Sequence, residues 1–139
     1  MHRRRLLQSI GGLALLSACS PPGAVSVTDA ETGVTTDIGP EQRGRIRAEA
    51  DPAAIALLPA GYAWANDSAL TVGMSAELLP FSAYATDMKT VIGSEPDTSQ
   101  LVADALGRKL IIVPIVWADW PMGLSSGKYD VAVANVTVT

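Results

Sequence analysis

The chain of 139 residues contains one histidine and one cysteine, and both lie near its beginning, as His2 and Cys19. After Cys19 the sequence has no imidazole and no thiol. Catalysis of the Ser-His-Asp or Cys-His type is therefore excluded for the rest of the chain, as are zinc sites built from His and Cys. A disulfide within the chain is excluded too. We expect neither a metal nor a cofactor.

Long apolar runs are scarce, and the one near the beginning has the pattern of a secretion signal. Arginines at 3–5 precede a short apolar run at 10–18, which cannot cross a bilayer as a helix. The run ends in Leu-Ser-Ala-Cys at 16–19, which resembles the lipobox of bacterial lipoproteins. That resemblance implies a lipid anchor on the Cys19 thiol. The arginines suit a twin-arginine signal and an ordinary secretory signal equally well, so the export route stays open.

Basic residues are few once that signal is removed. Seven Lys and Arg then face fourteen Asp and Glu, which is a net charge of −7. Nucleic-acid binding needs clustered positive charge, so we expect no nucleic-acid partner. The small cluster of Arg43, Arg45 and Arg47 is interpreted as part of a solvated linker, in preference to a contact with lipid headgroups.

The segment after the signal has no periodicity that would indicate a packed element. Residues 20–41 are mostly Pro, Gly, Ser, Thr and Asp, so we predict a disordered spacer without packed structure there. The chain is accordingly divided into a signal peptide at 1–18, a flexible tether at 19–50 and a folded part at 51–139. A short helix begins the folded part, with Asp51 as its N-cap and Pro52 in its first turn.

The remainder of the chain alternates strand-like and helix-like segments, which predicts an α/β fold. Three parallel strands are predicted at 69–74, 109–116 and 130–137, with helices at 97–107 and 120–126. The second run is almost entirely Ile, Val and Leu, which is typical of a strand buried on both faces.

Local signals refine these elements. The predicted helix at 97–107 has four apolar residues at helical spacing, which we expect to face the core. They are Leu101, Val102, Ala105 and Leu106. Gly107 marks its end, while Ser94 and Asp97 remain alternative N-caps. The segment 81–93 is predicted to be a β-excursion that turns at 87–89.

Three motifs, in order, resemble family 3 of the bacterial solute-binding proteins, the polar-amino-acid receptors of ABC importers. They are LTVGM followed by Pro-Phe at 80–81, G-x-E-x-D with a later A-x-x-L-G at 93–107, and L-x-SGKYD-V-A-V-x-N-x-T-x-T at 124–139. The resemblance covers 59–139 and implies part of lobe 1 of a type II periplasmic-binding-protein fold. It implies an exported receptor for an amino acid or similar small polar solute, with an ABC permease as its membrane partner.

The family resemblance also implies a ligand site beyond the carboxyl ends of the strands, where ligands of open α/β sheets lie. Trp117 would stack on the ligand side chain, while Asn135 and Thr137 would meet its ammonium and carboxylate groups. The full set that the resemblance implies is Ser75, Leu78, Phe81, Trp117, Ala134, Asn135 and Thr137. Gly73 is interpreted as a close approach of backbone to ligand.

Two of these positions depart from the family pattern. Ser75 and Leu78 stand where the family often has an acid and an aromatic residue, which argues against a cationic ligand. Glu77 replaces the missing acid only if the loop is shifted. The sequence also ends at Thr139, before the arginine that clamps the ligand carboxylate and before lobe 2, so we expect a truncated lobe that binds weakly by itself.

Two other functions stay open. The same fold carries enzymes of the periplasmic dehydratase and murein lytic types, which need a placed acid. No paired acids converge at the predicted strand ends, so we expect no enzyme. A lipoprotein remnant that binds nothing is the third possibility.

Overall fold

The computed structural model describes residues 24–136. The elements in chain order are β1 (Ser26–Thr28), β2 (Thr35–Asp37), α1 (Pro52–Ala56), β3 (Ala69–Met74), β4 (Glu77–Leu78), β5 (Ser82–Tyr84), β6 (Val91–Ile92), α2 (Ser94–Ala105), β7 (Lys109–Pro114), α3 (Trp120–Ser125) and β8 (Val131–Ala132). A 3-10 helix, Trp117–Asp119, precedes α3. The predicted signal, Cys19 and Thr137 lie outside the described residues.

The main sheet has three strands in the order β7-β3-β8, and both pairings are parallel. Leu70 lies opposite Leu110, and Val72 lies opposite Val131. Every residue of β3 is buried, because the strand has a neighbour on each side and α2 packs on the sheet. The predicted α/β class with three parallel strands is confirmed, but the third strand is much shorter than the predicted 130–137. β8 consists of Val131–Ala132 only, and Asn135, with φ of 51°, lies outside the extended conformation that a strand requires.

The prediction that the strand at 109–116 is buried on both faces is wrong. β7 ends at Pro114, and its burial alternates, with Leu110 and Ile112 packed on the core while Ile111 is exposed. Within residues 24–136 the strand has β3 as its only hydrogen-bonded neighbour, so it lies at the edge of the sheet. The strand buried on both faces is β3, because position in the sheet decides burial and composition does not reveal that position.

Helix α2 begins three residues before the predicted start. Its N-cap is Gly93, with φ of 125°, and no side chain caps the helix, so neither Ser94 nor Asp97 has that role. The N–H groups of Ser94 and Glu95 donate instead to the carbonyl groups at 80–81, at 3.0 Å each. These bonds replace a side-chain cap, because they satisfy donors that a helix start leaves unpaired.

The buried face of α2 also differs from the predicted one. Pro96, Ser99 and Ala103 are buried, whereas Val102 is exposed. The helix thus turns small residues toward the sheet. The predicted end is confirmed, since Gly107 has φ of 65° and its N–H donates to the Asp104 carbonyl at 2.8 Å.

The prediction of a spacer without packed structure is wrong for its described part. β1 and β2 form an antiparallel hairpin in which Val27 lies opposite Thr36. Its turn is held by the Asp29 carboxylate, which accepts from the N–H groups of Glu31 and Thr32 at 3.0 and 2.7 Å. Aspartate favours turns because it bonds its own neighbouring backbone, and this signal is present in the sequence.

The segment 38–51, here called the strap, runs along α2 instead of being a solvated linker. Arg45 Nε lies 2.9 Å from Asp97 Oδ1, and the Asp51 N–H donates to the Ala105 carbonyl at 2.8 Å. The Thr86 N–H donates to the Ile38 carbonyl at 3.0 Å, which joins the strap to the β5–β6 hairpin. Residues assigned to the tether therefore pack on the lobe.

The remaining local predictions are confirmed. The Asp51 carboxylate accepts from the Ala53 N–H at 2.9 Å, with Pro52 beginning α1. β4, β5 and β6 form a second, antiparallel sheet, and Asp87 holds the turn between β5 and β6. No helix among residues 24–136 combines the length and hydropathy that a membrane crossing requires.

Candidate functional site

The parallel strands bring three predicted site segments to one edge of the main sheet, here called the rim. Ser75 follows β3, Trp117 follows β7 after two residues, and Ala134 follows β8 after one residue. Parallel strands have their carboxyl ends on the same side, so the three segments share that edge. A direct contact joins two of them, since the Trp117 indole N–H donates to the Ala134 carbonyl at 2.8 Å.

Trp117 is bonded through its indole nitrogen, and about half of the residue remains exposed to solvent. The 3-10 helix carries the residue, and the indole is tied to Ala134 while 49% of the residue surface stays exposed. The ring can therefore still stack on a bound molecule. The buried Ala134 carbonyl keeps a second lone pair, because a carbonyl oxygen can accept twice.

Asn135 has an unusual backbone conformation, with φ of 51°. Asparagine enters this left-handed region more readily than most residues. Its backbone N–H donates to Glu95 Oε1 at 2.6 Å, so this group is already engaged within the protein. The Asn135 residue remains exposed, which leaves its side-chain amide available for a ligand.

Ser75 is buried, and its carbonyl is also engaged. The Ser82 hydroxyl lies 2.6 Å from the Ser75 carbonyl oxygen and 2.6 Å from Glu95 Oε2. A hydroxyl has one proton, so Ser82 donates to one of these acceptors at a time. The Glu95 carboxylate thus shares the Ser82 hydroxyl with the carbonyl after β3, and it bonds directly to the backbone N–H of Asn135 after β8.

The side chains of Leu78 and Phe81 take no part in the described hydrogen bonds of this network. Leu78 pairs with Ser82 in the second sheet and is 56% exposed. Phe81 has an exposed ring, and its carbonyl accepts from the Glu95 N–H at 3.0 Å. Both residues therefore contact the network through their backbone. Thr137 lies outside the described residues.

Gly73 accommodates a side chain of the protein where a ligand was predicted to approach. A Cβ atom at Gly73 would lie 2.6 Å from Cζ of the Tyr129 ring. Tyr129 is 2% exposed, and its hydroxyl donates to the Trp120 carbonyl at 2.9 Å. Burial raises the pKa of this phenol. The glycine is required because the ring packs directly on the backbone of β3.

Sequence reasoning missed Glu95 and Ser82 as site residues. Glu95 stands inside the G-x-E-x-D motif, which was interpreted only as a helix start and a family marker. An acidic residue in the first turn of a helix usually complements the helix dipole, so its position in the sequence does not indicate any further contact. Nothing in the sequence around Ser82 marks that residue, because its two partners become neighbours only in the folded chain.

A cavity of about 460 Å³ lies beside the rim, between the end of β7 and α3. Its lining residues include Val116, Asp119, Met122, Lys128 and Tyr129. The residues that the structure describes contain no group of three His, Cys, Asp or Glu side chains that could hold a metal.

Comparison with known proteins gives a family match over half of the chain. The family model for bacterial extracellular solute-binding proteins, family 3, matches residues 70–139. The cyclohexadienyl dehydratase of Pseudomonas aeruginosa is 29% identical over 69 residues, which make up 50% of this chain and 25% of that protein. The match thus spans about a quarter of the length of this curated relative.

Solved structures of similar proteins match the same share of the chain. An arginine-bound mutant form of domain 1 from TmArgBP is 30% identical, with a TM-score of 0.50, over 52% of this chain and 55% of that one. The L-cystine solute receptor of Neisseria gonorrhoeae, unliganded and open, is 30% identical with a TM-score of 0.47. That match covers 53% of this chain and 31% of the receptor.

Proposed function

This chain belongs to the bacterial extracellular solute-binding proteins, family 3, and we propose that it is the amino-acid-binding component of an ABC importer. The observation that carries the proposal is the rim, where the ends of three parallel strands present an exposed indole, a backbone carbonyl and an amide. An amino acid needs acceptors for its ammonium group and donors for its carboxylate, because burying either charge without partners is costly.

The rim supports a role for three of its groups. The Ala134 carbonyl has a free lone pair for an ammonium group, and the Asn135 side chain can donate to a carboxylate. The exposed ring of Trp117 gives the side chain of the ligand a flat surface for stacking. A single-domain neighbour, domain 1 from TmArgBP, is known in an arginine-bound form, which supports amino-acid binding by one lobe of this fold.

We propose a neutral polar amino acid as the preferred ligand. Ser75 is buried and uncharged at the end of β3, so this position cannot pair with a cationic side chain. Both carboxylate oxygens of Glu95 already have partners within the protein, which leaves this acid poorly placed to bind a second cation. Selectivity against Lys and Arg would follow from these two features.

The proposed location is outside the cytoplasm. The signal at 1–18 would direct export, and a lipid on Cys19 would hold the mature protein at a membrane surface, in the periplasm or on the outer face of the cytoplasmic membrane. An ABC permease in that membrane would receive the solute. The family description as extracellular agrees with this placement.

Calorimetry of the chain with each of the twenty common amino acids tests the proposal. We expect binding of neutral polar amino acids with a Kd of about a millimolar, because ion contacts on one open lobe stay hydrated and contribute only about 0–1 kcal/mol each. In a thermal-shift assay, about 10 mM ligand would then stabilise the chain by about 1.4 kcal/mol. Absence of binding by all twenty at this concentration would refute the proposal.

A dehydratase is the second candidate, and the similarity to cyclohexadienyl dehydratase favours it. Such an enzyme needs a general acid next to its substrate. Among the described rim residues the acid is Glu95, and both its oxygens are engaged. Incubation with a cyclohexadienyl compound, followed by mass spectrometry for loss of water, separates the candidates. Turnover that disappears in Glu95→Gln would favour the enzyme.

A further inference from the structure

Glu95 occupies a central position among the rim segments. Its Oε1 atom accepts from the Asn135 N–H at 2.6 Å, and its Oε2 atom lies 2.6 Å from the Ser82 hydroxyl. Ser82 extends the connection to the Ser75 carbonyl, again at 2.6 Å. One carboxylate therefore bonds directly to the segment that follows β8 and shares the Ser82 hydroxyl with the segment that follows β3.

The same network continues to the third segment. Residue 134, which precedes Asn135 in the chain, accepts from the Trp117 indole at 2.8 Å. Any shift of Asn135 would thus move the carbonyl to which Trp117 is attached. The three groups that the proposed function assigns to the ligand share one hydrogen-bonded support, and Glu95 is its only described acid.

The conformation of Asn135 indicates why such a support is needed. Asparagine tolerates the left-handed region better than most residues, and surrounding contacts select this conformation over the more common ones. The bond from its N–H to the Glu95 carboxylate is short and charge-assisted. Hydrogen bonds with one ionised partner are stronger than those between two neutral groups. Removing the carboxylate would free the backbone to return to a more favourable conformation.

Glu95 itself is placed by two backbone features of α2. Its N–H donates to the Phe81 carbonyl at 3.0 Å, and the residue lies in the first turn of the helix. A carboxylate is stabilised at this end of a helix, because the helix dipole is positive there. The position of the acid is therefore set by the helix and by the loop before β5.

We propose that Glu95 is a positioning residue of the solute site, and this inference rests on the proposed function. It holds the backbone of Asn135 and Ser75 in the arrangement that receives the ligand, without contacting the ligand itself. Its role is to accept hydrogen bonds; the negative charge strengthens these bonds, but it is not directed at the ligand. A glutamine would keep an acceptor for Asn135 and would give the Ser82 hydroxyl a donor, so that Ser82 could donate to Ser75 throughout.

The test compares Glu95→Ala and Glu95→Gln with a matched control from the same helical turn. Asp97→Ala also removes a first-turn acid, together with its ion pair to Arg45, but Asp97 has no contact with the rim among the described bonds. Affinity for the twenty common amino acids is measured by calorimetry, and stability by thermal denaturation. Ser82→Ala is the second variant, because it removes the link to Ser75 without changing charge.

We expect Glu95→Ala to weaken binding by about tenfold or more, while Glu95→Gln stays within about threefold of the unmodified chain. Asp97→Ala should lower the melting temperature but keep its affinity, and Ser82→Ala should fall between. The amide resonance of Asn135 should move in Glu95→Ala and stay in place in Asp97→Ala, which a general loss of stability would not produce.

The outcomes separate the two proposals. If the unmodified chain binds an amino acid and Glu95→Ala binds it equally well, the positioning role is wrong and the proposed function stands. Equal losses in Glu95→Ala and Asp97→Ala would also overturn the positioning role, because stability alone would then explain both. If the unmodified chain binds none of the twenty amino acids, both proposals fail.

Discussion

Arg47 and Asp104 form a bidentate ion pair, in which Nε and Nη2 of the arginine each lie 2.6 Å from a carboxylate oxygen. The pair joins the strap to α2 across 57 positions of sequence. The Asp104 side chain is 6% exposed, and it also accepts from the Ala48 N–H and the Gln100 side chain. The arginine guanidinium holds the pKa of Asp104 well below its usual range.

Replacing Arg47 with alanine should destabilise the lobe more than replacing Arg43. Removal of Arg47 leaves a mostly buried carboxylate without its cation, whereas Arg43 is exposed and lies 4.0 Å from Glu41. Urea denaturation at neutral pH measures both variants. Equal midpoints for Arg47→Ala and Arg43→Ala would show that the strap contributes nothing through this pair.

The Arg47–Asp104 pair should make stability depend on acid pH. The folded-state pKa of Asp104 lies below its ordinary value of 3.8, so folding favours the ionised form. This contribution is fully present above about pH 3.8 and is lost as pH falls through the folded-state pKa. Between pH 5 and pH 2 the denaturation midpoint should change less in Asp104→Asn than in the unmodified chain, because the variant lacks this ionisable group.

Two aspartates in exposed turns also contribute to the dependence of stability on pH. The Thr32 backbone N–H lowers the pKa of Asp29, and the Thr90 backbone N–H lowers that of Asp87. Protonation of these two aspartates on acidification also lowers the stability of the folded state, so some pH dependence should remain in Asp104→Asn. An Asp104→Asn profile that overlays the unmodified one would contradict the assignment.

Gly73→Ala should destabilise the fold through overpacking. The added Cβ would meet the Tyr129 ring at 2.6 Å, inside the normal contact distance. Overpacking in a well-packed core usually costs about 1–3 kcal/mol. Tyr129→Phe is the comparison, since it keeps the ring but loses the bond to Trp120, at about 1 kcal/mol. Urea unfolding checks both, and an unchanged midpoint for Gly73→Ala would contradict the packing.

Trp117→Ala should weaken amino-acid binding by about two- to tenfold, because a stacked aromatic contact contributes about 0.5–1.5 kcal/mol. Trp64→Phe is the control, since that ring lies under Arg108, with 3.9 Å between the guanidinium carbon and the ring centroid. Calorimetry and the change in tryptophan fluorescence on ligand addition provide the two measurements. A fluorescence response that survives in Trp117→Ala and vanishes in Trp64→Phe would reverse the assignment.

Cys19→Ser should release the protein from the membrane. We expect the variant to lose incorporation of labelled fatty acid and to enter the soluble exported fraction, because the serine hydroxyl cannot replace the thiol. Fractionation and immunoblotting measure the distribution. Unchanged membrane association without the cysteine would show that another part of the protein provides the attachment.

Local features were predictable because neighbouring residues in the sequence decide them. Alternation and apolar runs located β3 and β7, and Asp51 with Pro52 marked the start of α1. Gly107 marked the end of α2 in the same way. Each of these features depends on backbone preferences or bonds that reach only a few positions along the chain.

Contacts between distant residues were decided by the tertiary structure alone. Glu95 meets Asn135 across 40 positions, and Arg47 meets Asp104 across 57. A carboxylate in a helical turn has the same sequence pattern whether it faces water, an arginine or a backbone amide. Its partner is therefore unknown until the chain has folded.

The sequence by itself determined the α/β class and the order of the three parallel strands and the helices between them, since periodicity and turn chemistry are properties of short segments. Only the tertiary structure decided that β7 lies at an edge, that the strap packs on α2 and that Glu95 supports the rim. These features depend on which elements become neighbours, and that arrangement arises from the packing of the whole lobe.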